Sequence, residues 1–98
     1  MMEESQVSIV DWARATFGKP GNYQDLALRC EEEFNELMSA VFSDDTEAAL
    51  EECADVYIVL CQVAEALGHS LQEAVDSKMA TNRARKWKVT GEGTGQHE

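Results

Sequence analysis

The sequence predicts an all-α fold, a small four-helix bundle completed by oligomerisation. Apolar residues recur at helical spacing in four segments. Capping residues or glycine fall at the segment boundaries, and the 98 residues include a single proline. No stretch alternates apolar and polar residues as a half-buried strand would. A chain this short buries only about 60–65% of its extended surface, so other copies of the chain would add to a modest core.

The first helix is capped by Ser5 or Ser8 and carries Ile9, Val10, Ala13 and Phe17 on one face. Gly18, Pro20 and Gly21 end it. Asn22 or Asp25 opens the second helix, which runs to about Phe42. Ser43-Asp44-Asp45-Thr46 forms a turn rich in capping side chains, and Glu47 suits the first turn of the third helix. That helix reaches Leu67 and stops at Gly68. Ser70-x-x-Glu73 reads as a capping box for the fourth helix, which is expected to continue to about Trp87. The domain organisation expected is one helical domain over residues 1–88 and a disordered tail over residues 89–98, where Gly91, Gly93 and Gly95 alternate with polar residues.

Nineteen acidic against eight basic residues give a formal net charge of −11. Such a surface repels a nucleic-acid backbone, so nucleic acid is an unsuitable partner. A single nucleotide remains suitable, because divalent ions bridge carboxylates to phosphates. The N-terminus has neither the basic start nor the apolar stretch of a signal peptide. The longest uncharged apolar run, residues 56–64, is too short to cross a bilayer. The expected location is cytoplasmic, without membrane attachment. Cys30, Cys53 and Cys61 are odd in number and lack Cys-x-x-Cys spacing, so they read as buried thiols in a reducing compartment.

The informative residues are carboxylates on faces that should be core. On helix two, Leu26, Cys30, Leu37 and Ala40 share a stripe with Glu33 in its middle, and Glu36 borders it. Glu31 and Glu32 point further round. Residues 53–64 of helix three carry Asp55 as their one charge, so that segment is expected to be buried on all sides. Glu52 lies on the stripe of Ala49, Val56, Val59 and Val63, with Asp55 one step round. Each helix thus offers an acidic pair at spacing i, i+3 toward the interior.

An ionised carboxylate buried without compensation costs several kcal/mol, and four together also repel. Protonation, pairing with cations or a divalent metal would each relieve the conflict. An all-oxygen ligand set suits Mg²⁺, with Mn²⁺ also accommodated, over zinc or copper. A di-iron carboxylate site needs Glu-x-x-His on its helices, and the two histidines, His69 and His97, are badly placed for it. A solvent-facing groove, or a salt-bridge cluster with Arg29 and Lys78, is the plain structural reading of the same residues. On helix four Lys78, Asn82 and Arg85 fall on one face. They suit a phosphate as point charge, neutral donor and bidentate fork, and they equally suit the negative end of a helix dipole. Trp12, Phe17, Tyr23 and Trp87 could stack on a base, although aromatics on helices are more often core.

Glu32-Glu33-x-x-Glu36 followed by Glu52-x-x-Asp55 on the next helix resembles the MazG-like nucleotide pyrophosphohydrolases of the all-α NTP pyrophosphatase superfamily. The segment from Lys78 through Asn82 and Arg85 to Trp87 looks like the basic helix of many single-domain members. The resemblance spans about residues 22–87. It implies hydrolysis of an NTP or dNTP to the monophosphate and pyrophosphate by in-line attack of water, with no covalent intermediate, in the service of nucleotide-pool housecleaning. It implies Glu33, Glu36, Glu52 and Asp55 as metal ligands and Glu32 as an accessory ligand or the group that orients water. Lys78, Asn82 and Arg85 would hold the polyphosphate, and the protein would be a homodimer or homotetramer. The competing expectation is a non-catalytic acidic helical oligomer that binds a protein partner, metal or nucleotide as a regulatory module.

Overall fold

A computed structural model describes residues 3–97. Its helices are α1 (Gln6–Phe17), α2 (Tyr23–Phe42), α3 (Thr46–Ala66) and α4 (Leu71–Ala84), and two short strands follow, β1 (Trp87–Val89) and β2 (Gly95–His97). The caps are side chains that satisfy otherwise unpaired N–H groups at each helix start. Ser5 and Ser8 cap α1 reciprocally, each hydroxyl accepting from the other's backbone N–H. The Asn22 side chain accepts from the Asp25 N–H, the Asp45 side chain from that of Ala48, and the Ser70 hydroxyl from that of Glu73.

Two of the connections are very tight. Asp44 takes a left-handed conformation (φ 56°) between α2 and α3, a geometry its short polar side chain tolerates. The turn sets α2 and α3 antiparallel in the most extensive helix pairing of the chain. Gly68 (φ 80°) ends α3 in the same backbone region, which a Cβ would strain.

Val10 and Ala13 of α1, Leu26 of α2, and Val59 and Cys61 of α3 form the buried centre. α1 and α2 both rest on α3, whereas α4 touches α3 only lightly. Gln6 joins α1 to the α3–α4 junction. Its amide nitrogen donates to Glu65 Oε2 (2.9 Å) and to the His69 carbonyl (2.8 Å), while its amide oxygen accepts from the Leu71 N–H (2.8 Å).

Four expectations are corrected. α4 stops at Ala84 rather than continuing to Trp87, because Arg85 is extended (φ −90°, ψ 148°). The Trp87 indole N–H then donates to the Asn82 carbonyl at 2.8 Å and covers the helix end. Residues expected to be a structureless tail pair as an antiparallel ribbon, with Trp87 opposite His97 and Val89 opposite Gly95. A Cβ at Gly95 would lie 3.3 Å from the Lys88 carbonyl, so the close approach of the strands suits glycine there. Finally, α3 is not buried on every side in the single chain. Leu50 is 66% exposed, and Tyr57 and Leu60 are also open to solvent. On α2, Phe34 and Met38 are exposed and Phe42 is 85% so. Cys53 is exposed, Cys30 half-buried and Cys61 buried, all as free thiols, so burial holds fully only for Cys61.

The Cα radius of gyration is 15.8 Å, against about 13 Å for a closed 100-residue domain. The chain is therefore an opened bundle with apolar faces still uncovered. Among the described residues, no helix is long and apolar enough to cross a membrane.

The Gln6 clamp predicts that Gln6→Ala removes about 1–3 kcal/mol of stability, since it strands the part-buried Leu71 N–H. Urea unfolding of the two proteins measures this difference.

Candidate functional site

The tight turn after Phe42 folds α3 back along α2 and brings two inward acidic positions face to face. Glu33 is 4% exposed, the one buried charged residue among those described. One oxygen from each of Glu33, Glu36 and Glu52 lies within 4.8 Å of the others. Glu52 is half-buried and Glu36 is on the open side. Asp55 stands outside this trio, yet it lines the same cleft as Glu33. Its charge is felt by both Glu33 and Glu52.

Arg29 answers part of this charge. Its guanidinium reaches Glu32 at 2.8 Å and Glu33 at 2.5 Å, one turn along α2. The salt-bridge reading of the sequence is therefore half right: Arg29 is engaged, and Glu32 lies on the exposed flank beside it. Compensation is incomplete. Glu33 Oε2 and Glu52 Oε2 are buried without a hydrogen-bond partner. Burial pushes the Glu33 carboxyl up, against the opposing pull of Arg29, and the Glu36 carboxylate pushes it further. Burial likewise raises Glu52, followed by Glu36, which is close enough to share a proton with it.

These orphaned oxygens are the fit test for a metal. Two acceptors are buried without a donor, on residues whose carboxylate oxygens come within 4.8 Å of one another, and every contributing atom is a hard oxygen. Such a set matches Mg²⁺ or Mn²⁺ in chemistry and needs no nitrogen or sulfur ligand.

The basic face of α4 is placed differently. Lys78 is exposed, and Asn82 and Arg85 are half-buried. The Asn82 Oδ1 is buried without a partner, while its backbone carbonyl holds the Trp87 indole. α4, which carries these three residues, packs lightly on α3. The structure adds a feature that the sequence does not show, an open cleft of about 490 Å³ lined by Glu33, Asp55, Trp12 and Phe17 among others. Those two rings meet edge to face, with centroids 5.5 Å apart. The signal for it was present in the α1 aromatics, but their burial could not be read from spacing.

Comparison with known proteins gives a consistent picture. The sequence profile of the MazG-like family matches residues 28–97. A dATP/dGTP diphosphohydrolase of Salmonella phage PMBT28 is 35% identical over 92 residues, which cover 94% of this chain and 30% of that protein. The chain thus spans less than a third of the curated relative's length. Among solved structures, the cyanophage S-2L MazG-like pyrophosphohydrolase, bound to dGDP and three catalytic Mn²⁺ ions per active site, superposes with a TM-score of 0.76 at 29% identity. The match covers 95% of this chain and 92% of that one.

The buried acids predict an inverted acid response of the metal-free protein. Folding favours the neutral form of Glu52, so the folded state holds more protons than the unfolded one above the ordinary value of 4.5. This contribution to stability is therefore lost as pH rises from that value. Glu52→Gln should melt higher than the parent at neutral pH without metal, with a smaller difference at pH 4. Mn²⁺ or Mg²⁺ should stabilise the parent more than the variant, as read by thermal melting.

Proposed function

The chain belongs to the MazG-like family, and from that premise we propose that it hydrolyses nucleoside triphosphates, NTP or dNTP, to the monophosphate and pyrophosphate with Mg²⁺. The observation that carries this reading is the convergence of Glu33, Glu36 and Glu52 with two buried oxygens left unpaired. The names of the phage diphosphohydrolase and of the cyanophage pyrophosphohydrolase support it.

Glu33, Glu36 and Glu52 would hold the cation through the oxygens now facing one another, with Asp55 joining from the next turn of α3. Divalent ions bound there supply charge neutralisation for the polyphosphate and acidity for the attacking water. Glu32, solvent-exposed and one residue from the buried ligand, would orient that water. Arg29 fixes Glu33 and draws Glu32 to the rim, so the two acids keep distinct orientations.

Lys78, Asn82 and Arg85 would hold the polyphosphate from α4. That role requires α4 to close toward the carboxylates, and completion of the bundle by a second copy supplies the packing. The uncovered faces of α2 and α3, with Phe34, Met38, Phe42, Leu50 and Leu60, favour a homodimer or homotetramer. Apolar surface of that extent is otherwise unstable in water. A cytoplasmic place and a housecleaning task among nucleotides complete the proposal.

Purified protein with Mg²⁺ and a panel of canonical and modified NTPs and dNTPs, assayed separately for pyrophosphate and orthophosphate, tests it. Pyrophosphate without orthophosphate is the expected product; orthophosphate alone would show cleavage at a different anhydride. Glu36→Gln or Asp55→Asn should lower kcat by roughly 10²-fold or more with unchanged helical circular dichroism. Full activity in either variant removes that residue from the ligand set. Lys78→Ala should lower kcat/KM for triphosphates while Mn²⁺ affinity stays the same. Light scattering should give a mass of two or four times 10.9 kDa; a monomer would contradict the assembly.

A further inference from the structure

Arg29 is the side chain that answers the buried charge of Glu33. Its Nη2 reaches Glu33 Oε1, and its Nη1 reaches Glu32 Oε2 at 2.8 Å. The Glu33 side chain is 5% exposed, whereas that of Arg29 is 55% and that of Glu32 65% exposed. The pair with Glu33 is therefore lopsided. Its buried member depends on a positive charge, because an ionised carboxylate left alone in the interior is strongly disfavoured. Its exposed member depends little on the pair, because water solvates a guanidinium at that exposure.

The contact also divides the two oxygens of Glu33. Arg29 holds Oε1, and Oε2 is buried with no partner. One oxygen of Glu33 lies within 4.8 Å of one each from Glu36 and Glu52. Arg29 lines the same cleft as Glu33 and Asp55, so its guanidinium reaches the carboxylates from the solvent side. The charges of Glu32, Glu33 and Glu36 all act on it. Its second partner, Glu32, lies at the rim and is no member of the trio.

We propose that Arg29 is an internal placeholder for the divalent cation: it neutralises Glu33 in the metal-free protein, a role the ion takes over when it binds. The inference rests on the cation site of the hydrolase reading above. Two positive charges that serve one carboxylate repel each other. Arg29 thus stabilises the metal-free fold and, by linkage, weakens the hold of the site on its metal. A plain ion pair at i, i+4 on a helix surface has neither consequence, since its loss costs the same with and without metal.

The test uses Arg29→Gln, which removes the charge and keeps polar hydrogens, and Arg29→Lys, which keeps the charge and loses the fork. Thermal melting is followed in EDTA and in saturating Mn²⁺. Free Mn²⁺ is measured by electron paramagnetic resonance in a titration at pH 8, where protons compete little for carboxylates. Arg29→Gln should melt below the parent in EDTA, and saturating Mn²⁺ should remove most of that difference. It should bind Mn²⁺ roughly 5- to 20-fold more tightly, the size of repulsion between a unit charge and a doubly charged ion under water-like screening. Arg29→Lys should follow the parent in both measurements; behaviour like that of Arg29→Gln would show that the fork and not the charge is at work, and would overturn the placeholder. An equal melting deficit with and without Mn²⁺, or unchanged or weaker Mn²⁺ binding by Arg29→Gln, would overturn it as well. If Arg29→Gln is unfolded in EDTA, Mn²⁺ should restore its helical circular dichroism, and failure to do so would count against the proposal in the same way. Absence of Mn²⁺ binding by the parent, with Glu52→Gln identical to it, is the separate result that would remove the cation site itself, and with it both the hydrolase reading and the placeholder.

Discussion

Carboxylates need water, a cation or a proton, and the interior between α2 and α3 gives Glu33 and Glu52 too little of any of them. Arg29 reaches Glu33 from one side. The opposite oxygens of Glu33 and Glu52 stay buried and unpaired. That deficit is the constraint around which the rest of the chain is arranged. Well-packed apolar residues at the same positions would avoid it, so the acids carry a cost to the fold that a proton or a bound cation offsets. The Asp44 turn, the α2–α3 pairing and the inward register of Glu33 and Glu52 all serve to keep the oxygens together.

The remaining elements extend that centre. α1 rests on α3 and carries Trp12 and Phe17 to the far end of the cleft. Gln6 ties α1 to the end of α3, to the turn after it and to the first residue of α4 through one hydrogen bond each. α4 then projects with little packing of its own, and the Trp87 indole closes its end. A helix so lightly held suits closure on a charged ligand or docking with a neighbouring chain.

Most of the helical framework was legible because caps and apolar spacing agree at every boundary up to Ser70. The acidic pairs were legible for a sharper reason: Glu33 and Glu52 interrupt stripes that are otherwise apolar. Other features depend on tertiary context. The fourth helix ends early because Arg85 leaves the helical region and Trp87 folds back, an event decided by pairing with β2. Strands of three residues in a glycine-rich segment are too short to show alternation. The openness of α3 reflects the chain standing alone, since spacing tells which residues are apolar and not what covers them. Asp55 was grouped with the other acids by spacing, whereas the helical twist sets it apart from the trio and into the cleft.

Paramagnetic broadening by Mn²⁺ tests most directly whether the acids form a cation site. In an amide-resolved NMR spectrum, substoichiometric Mn²⁺ should first erase the signals around Glu33 and Glu36 on α2 and around Glu52 and Asp55 on α3. Signals near the equally acidic Asp44–Asp45 turn and near Glu73 should survive. Broadening spread evenly over all acidic surfaces, with no priority for the α2–α3 centre, would contradict the site.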